Sequence, residues 1–248
     1  MLIRPGDDGA LAIGQLSHSW LSGQLARAWG NERFGDLEPR EDIVLGAEQH
    51  DIGWAHFDLE PRFNPDTGLP RSFLELTVDD HLAIWTDAPE HLRTASTWAT
   101  LVVSMHGSSL SELRQSAALE PYPALQAHID AEHARQDALR GRLGVTESQA
   151  ERVRRLMWTW DGLSLALCHG WRPFTCRDVP TADGLIDVEL RDDERGSVTL
   201  DPWPFAAKAL PVQCEARRLA PRYEDEAAMR AGFDDAPLQT LSFALVAP

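Results

Sequence analysis

Lysine is almost missing from this 248-residue chain: Lys208 is the single one among 23 cationic residues, and the others are arginines. Against 39 acidic side chains this leaves a formal charge of −16. So acidic a chain argues against a nucleic-acid partner, which needs clustered positive charge. It leaves room for a small anionic substrate gripped by a metal and one or two arginines. The three cysteines have no repeated spacing and build no disulfide framework. No apolar run approaches the ~20 residues that span a bilayer, and no basic-then-apolar leader follows Met1. A soluble, cytoplasmic protein with no membrane partner is expected. A Walker-type loop, a Gly-rich dinucleotide fingerprint, internal repeats and low-complexity tracts are also lacking.

What is present is an ordinary globular composition, 43% hydrophobic and 25% charged, in a chain long enough to bury a core. Leu2-Ile3 and Leu11 to Ile13 flank a turn from Pro5 to Gly9 and read as a short strand or two, and from Leu16 to about residue 172 the chain reads as helical. His18, Leu21, Leu25 and Ala28 fall on one stripe of a helix over Leu16 to Trp29, so His18 faces inward. There it is either a metal ligand or a core histidine bonded to a carbonyl. A second helix runs from Glu41 to Asp51, with acidic residues at its start to suit the dipole. It ends in His50-Asp51, and Gly53 stops it. Imidazole and carboxylate side by side are a common metal-ligand pair, though a bare dipeptide is weak. The proline-rich segment from Glu60 to Phe73 is either a lid or a rigid surface loop.

Asp79-Asp80 caps a helix carrying His81, and Thr94 to His106 forms another, closed by Gly107. On the helix Pro121 to Leu143, His128 and His133 fall on a solvated face. Asp161 stands alone in the apolar helix Leu156 to Cys168. A carboxylate buried there costs several kcal/mol unless a cation or N–H donors compensate it. A bond to Trp or backbone N–H groups is the alternative. After Pro173, short alternating stretches at 186–190, 197–200, 212–216 and 241–246 read as a small antiparallel sheet, with a helix over 221–232. Those strands are expected to cover the helical core or to form a subunit contact, a homodimer being one arrangement.

The helical residues then line up as His18, His50-Asp51, His81, His106 and Asp161. This order, H…HD…H…H…D, resembles the HD-domain superfamily of metal-dependent phosphohydrolases. It is closer still to an uncharacterised bacterial domain-of-unknown-function family with HD-like patterns. The resemblance runs from about His18 to Cys168. It implies a mainly α fold: an HD-domain-like helical bundle over 1–172, with a small C-terminal antiparallel β-rich appendage over 173–248. It also implies that His18, His50, Asp51 and Asp161 hold one metal. Binuclear members add two histidines, here His106 and either His81 or His91, with Asp51 as the bridge. Asp51 and His106 would then stand nearest the chemistry.

Imidazoles and carboxylates suit one or two ions of Fe, Mn, Zn, Ni or Co, and two metals about 3.5–4 Å apart can activate a hydroxide nucleophile. Ser17, Ser104 and Cys168 are accordingly not read as catalytic. Arg27, Arg62 and Arg71 are candidate clamps for a substrate phosphate. Three functions compete: a metal-dependent hydrolase of a small phosphate ester or nucleotide-like anion, a di-iron oxygenase cleaving a C–C or C–P bond, and a non-catalytic binding protein on the same scaffold. A zinc site from Cys168, His169, Cys176 and Cys214 is a weaker rival, because its spacing matches no usual zinc pattern.

Overall fold

A computed structural model describes residues 1–193 and 197–248. The chain starts with a hairpin, β1 (Leu2–Gly6) and β2 (Gly9–Ile13), then α1 (Gln15–Ala28) and α2 (Arg40–Glu48). A 3-10 turn (Ile52–Trp54) leads to α3 (Ala55–Leu59) and a two-residue hairpin, β3 (Phe63–Asn64) with β4 (Leu69–Pro70). After a second 3-10 turn (Phe73–Glu75) come four longer helices: α4 (Val78–Leu92), α5 (Thr97–Ala117), α6 (Pro123–Leu143) and α7 (Glu147–His169). The chain closes with β5 (Phe174–Thr181), β6 (Gly184–Asp192), β7 (Val198–Asp201), β8 (Ala209–Leu219), α8 (Glu226–Asp235) and β9 (Leu238–Val246).

Seven strands form one sheet in the order β1-β2-β8-β9-β7-β6-β5. All neighbours are antiparallel except β7 and β9, which meet at Val198 and Leu245. This corrects the expected fold class. The protein is a mixed α/β structure, not a mainly α bundle with a small β appendage. The N-terminal hairpin joins the sheet through Ala10 opposite Leu219 and Ala12 opposite Arg217. Short-range pattern shows that such strands exist but not which distant strand each will pair with.

The main core lies between the sheet and the helices. It draws Leu2 and Ile13 from the hairpin, Leu21 and Leu25 from α1, Trp160 and Leu163 from α7, and Val188, Val212 and Leu245 from the sheet. A second, smaller cluster gathers Trp54, Ile84, Trp85 and Leu125. Among the described residues, no helix is long and apolar enough to cross a membrane.

Local chemistry sets the helix ends. Thr146 and Gln149 form a capping box at the start of α7, and Gly170 ends it in the left-handed region at φ 76°. Thr77 and Asp80 form the same box on α4. Two glycines do otherwise than expected. Gly107 sits within α5, where it passes close to Trp85, and Gly53 is no helix stop, since α2 already ends at Glu48. A Cβ on Gly53 would fall 2.3 Å from the Ile84 carbonyl oxygen, so this glycine lets the His50-Asp51 turn lie directly on α4.

His128 is also corrected. It is buried, with Nδ1 2.9 Å from Ser111 Oγ, while His133 is exposed and paired with Glu112 at 2.9 Å. The charged sequence of α6 masks the face it turns to α5.

Gly53→Ala is expected to lower unfolding free energy by about 1–3 kcal/mol through overpacking. Gly141→Ala, in α6 with open space around it, should raise it by about 0.5–1 kcal/mol. Urea melts of the two variants check both signs.

Candidate metal centre

Four segments converge between the two cores: α1, the turn after α2, α5 and α7. They deliver His18, His50 with Asp51, His106 and Asp161, all buried. His18 Nε2 is 2.7 Å from Asp51 Oδ2 and 3.9 Å from Asp161 Oδ1. His50 Nε2 is 3.5 Å from Asp51 Oδ2 and 3.4 Å from Asp161 Oδ1. His106 stands against His50, ring centroids 4.6 Å apart. Two overlapping ligand groups result, His18-His50-Asp51 and His50-His106-Asp161, each with donor atoms within 4.8 Å of one another.

These residues fit a metal in three respects. Donors about 2.0–2.2 Å from one first-row ion lie roughly 3–3.5 Å from each other, close to the separations here. His50 Nε2 is fully buried and has no hydrogen-bond partner, although two carboxylate oxygens are near it. And the far sides of the rings are held: His50 Nδ1 donates to the Ala47 carbonyl at 2.9 Å, and His18 Nδ1 lies 2.8 Å from Ser164 Oγ. Such outer bonds orient ligating imidazoles and select the tautomer.

Ser164, His18 and Asp51 are connected like a nucleophilic triad, but Ser164 is completely buried and its hydroxyl donates to the Asp161 carbonyl at 2.8 Å. It orients His18 instead.

The cluster opens on a cavity of about 260 Å³. Trp54, Phe73, Trp85, Leu110 and Leu165 wall it, and Gln15, His81 and Arg114 are its polar residues away from the cluster. A larger groove of about 810 Å³ between α5, α6 and α7 is lined by surface side chains such as His133 and Arg154 and contains none of the cluster.

Of the residues singled out in the sequence, His81 is not brought to the donor group. Its Nε2 donates to the Phe73 carbonyl at 2.9 Å, Arg114 donates to its Nδ1, and it stacks on Trp85. Its competitor His91 is at the surface, paired with Asp87. Arg27 is exposed and paired with Glu41 and Glu48; Arg62 pairs with Asp80. Arg71, like them, does not line the cavity. Among the described residues the cation that does is Arg114, which no local motif marks. The 60–73 segment is pinned rather than free, since Arg222 donates to the Pro65 and Asp66 carbonyls. The proposed zinc residues are not gathered: Cys168 and Cys214 lie 3.8 Å apart, but Cys176 bonds Thr159 and His169 stacks on Trp171.

The chain belongs to the family described as protein of unknown function (DUF3891), whose model matches residues 1–221. No curated protein and no solved structure matches the chain. The resemblance to the HD-domain superfamily is thereby corrected. The family that matches spans the N-terminal hairpin and every strand of the sheet up to β8, not only His18 to Cys168, and that sheet is no part of a purely helical HD-like bundle.

Two buried carboxylates dominate the electrostatics. Burial disfavours a charged His50, yet the Asp51 charge and then the Asp161 carboxylate beside it outweigh it and raise its pKa to about 9. Burial, then the His50 charge, lower His106 to about 4. Burial, then Arg114, lower His81 to about 4. Asp51 and Asp161 are both lowered despite burial, each first by the His50 imidazole beside it.

The sign of each shift sets the pH dependence of the metal-free protein. His50 stabilises fully below its unfolded value near 6.5, and this is lost as pH rises toward about 9. His81 and His106 stabilise above about 6.5, and this is lost as pH falls toward about 4. The Tm of chelator-treated protein should therefore peak near pH 6.5. His50→Gln should flatten the alkaline limb and His106→Gln the acid limb; a Tm rising steadily from pH 6.5 to 9 would contradict the assignment.

Proposed function

We propose that this protein is a metal-dependent hydrolase of small phosphate esters or related anions. One observation carries the reading. Two carboxylates, Asp51 and Asp161, line a cavity with the buried, partnerless His50 Nε2 next to them, and among the described residues neither carboxylate forms an ion pair with a lysine or arginine. A divalent transition metal would be held by His18, His50, Asp51 and Asp161, with His106 as a further donor. Bound there, it supplies Lewis acidity and a hydroxide nucleophile near neutral pH. The chain's own residues do the rest. His18 and His50 are locked in orientation by Ser164 and Ala47. The apolar walls limit water around the reacting group, which strengthens electrostatic interactions. Arg114 supplies positive charge to an anion in the cavity, a role the strongly acidic surface does not share.

Metal analysis of protein purified without chelator should find at least one equivalent of Mn, Fe, Co, Ni or Zn. Hydrolysis of p-nitrophenyl phosphate should be lost with EDTA and restored by metal. EDTA should lower the Tm of the wild type, because a ligand that binds only the folded state stabilises it. Asp161→Asn should abolish hydrolysis and make the Tm much less sensitive to EDTA. An identical EDTA shift in both proteins would remove Asp161 from the site. Dioxygen consumption by the iron-loaded protein without phosphate release would replace the hydrolase with an oxygenase.

A further inference from the structure

The cavity also carries information about what enters it. At about 260 Å³ it is smaller than the roughly 300–1,000 Å³ of pockets that take drug-sized ligands. Its walls are aromatic and aliphatic, and two leucines at its mouth, Leu74 and Leu113, are 70% and 55% exposed. A leucine pair left in water at the rim of an apolar pocket is surface that a bound apolar group would cover.

Two polar features interrupt this wall. Arg114 has no carboxylate within ion-pair distance among the described residues, in a chain that pairs many of its arginines. It donates instead to the neutral ring of His81 and to the Leu76 carbonyl at 3.4 Å. His81 is itself fixed by the Phe73 carbonyl, so it is a positioning residue that points Arg114. The second feature is Gln15, 3% exposed, whose Oε1 is buried without a hydrogen-bond partner. An unpaired amide oxygen costs free energy comparable to a lost hydrogen bond and awaits a donor.

We propose that the ligand is a small anion with a compact apolar body, of the aryl or branched-alkyl phosphate type, and not a nucleotide or sugar phosphate. Arg114 holds the anionic group, Gln15 Oε1 accepts a hydrogen bond from a protonated oxygen of that group, and the body lies between the aromatic wall and the leucine rim. A nucleotide is too large for the volume, and the hydroxyls of a sugar would be left unpaired against the apolar wall. This rests on the metal-site reading for the chemistry, but the recognition itself uses residues that are not in the metal cluster.

The test titrates phenylphosphonate, inorganic phosphate and ribose 5-phosphate into the metal-loaded, full-length protein, and separately into EDTA-treated protein. Trp54 and Trp85 in the wall provide a fluorescence signal, and calorimetry confirms it. Phenylphosphonate should bind about tenfold or more tightly than either of the other two. Arg114→Gln should weaken all three about tenfold or more, with Arg114→Lys recovering part of the loss. Leu74→Ser and Leu113→Ser, at exposed positions that leave the fold intact, should narrow the margin for phenylphosphonate and leave inorganic phosphate binding unchanged.

Equal affinity for the three anions, or tightest binding of ribose 5-phosphate, overturns the proposal even if metal and hydrolysis are found. Phenylphosphonate bound selectively by a protein that retains no metal sustains it while removing the hydrolase reading. Stoichiometric metal with no binding of phenylphosphonate removes it and leaves the metal reading in place.

Discussion

Asp51 and Asp161 impose the constraint on which the centre depends. Bringing two carboxylates into one buried space costs several kcal/mol per ion, and among the described residues no lysine or arginine pairs with either. Without a metal, His50 is the group that answers. Its raised pKa of about 9 means that the protein takes up a proton where it lacks a cation. Burial, and after it that proton on His50, hold His106 down to about 4, since two adjacent imidazolium ions would repel each other in a buried site. The same set of groups would therefore exchange a proton for a divalent ion, and the affinity for that ion would fall as the solution becomes more acidic.

The fold serves this constraint by bringing donors from separate segments to one point with little freedom. Asp161 is fixed by a helix capped at both ends, and His18 by a helix packed on β8 and α7. The His50-Asp51 pair has no helical backbone of its own, so it is held from outside: Gly53 allows contact with α4, and the Ala47 carbonyl fixes the His50 ring. The sheet supplies none of the five donors. It buttresses α1 and α7 from behind, which is why a chain with so helical a centre still needs seven strands.

How far the centre can be read from the chain depends on the range of the signal. Helical stripes place His18 and Asp161 on buried faces, because burial on a helix repeats every three to four residues. His106 is legible in the same way. Arg114 and Gln15 are not. Arg114 follows Leu113 near the exposed end of α5, and Gln15 opens α1; nothing local tells either from a solvated polar residue. They face the cavity only because α4 and the 73–75 turn pack where they do. His81 fails for the opposite reason. Its position fits the ligand order, but a carbonyl eight residues upstream and an arginine 33 residues downstream take both of its nitrogens. Strand pairing is equally remote: β2 meets β8 across some 200 residues, and pattern over five residues carries no record of that. An ordered string of His and Asp residues can thus suggest a metal centre and still mislead about the fold that holds it.

The apolar walls tie recognition to the metal centre. On the proposed reading they select the body of the ligand, and they also keep the dielectric low around Asp51, Asp161 and Arg114. Low dielectric magnifies both the cost of an unpaired charge and the gain from pairing it. A ligand that fills the cavity and displaces its water would strengthen the attraction of its anion to Arg114 and to a cation at the cluster together. A hydrophilic ligand of the same charge would carry water in with it and forgo part of that gain. Apolar shape and charge recognition are then one device, and selectivity for a compact hydrophobic anion needs no specific contact to each of its atoms.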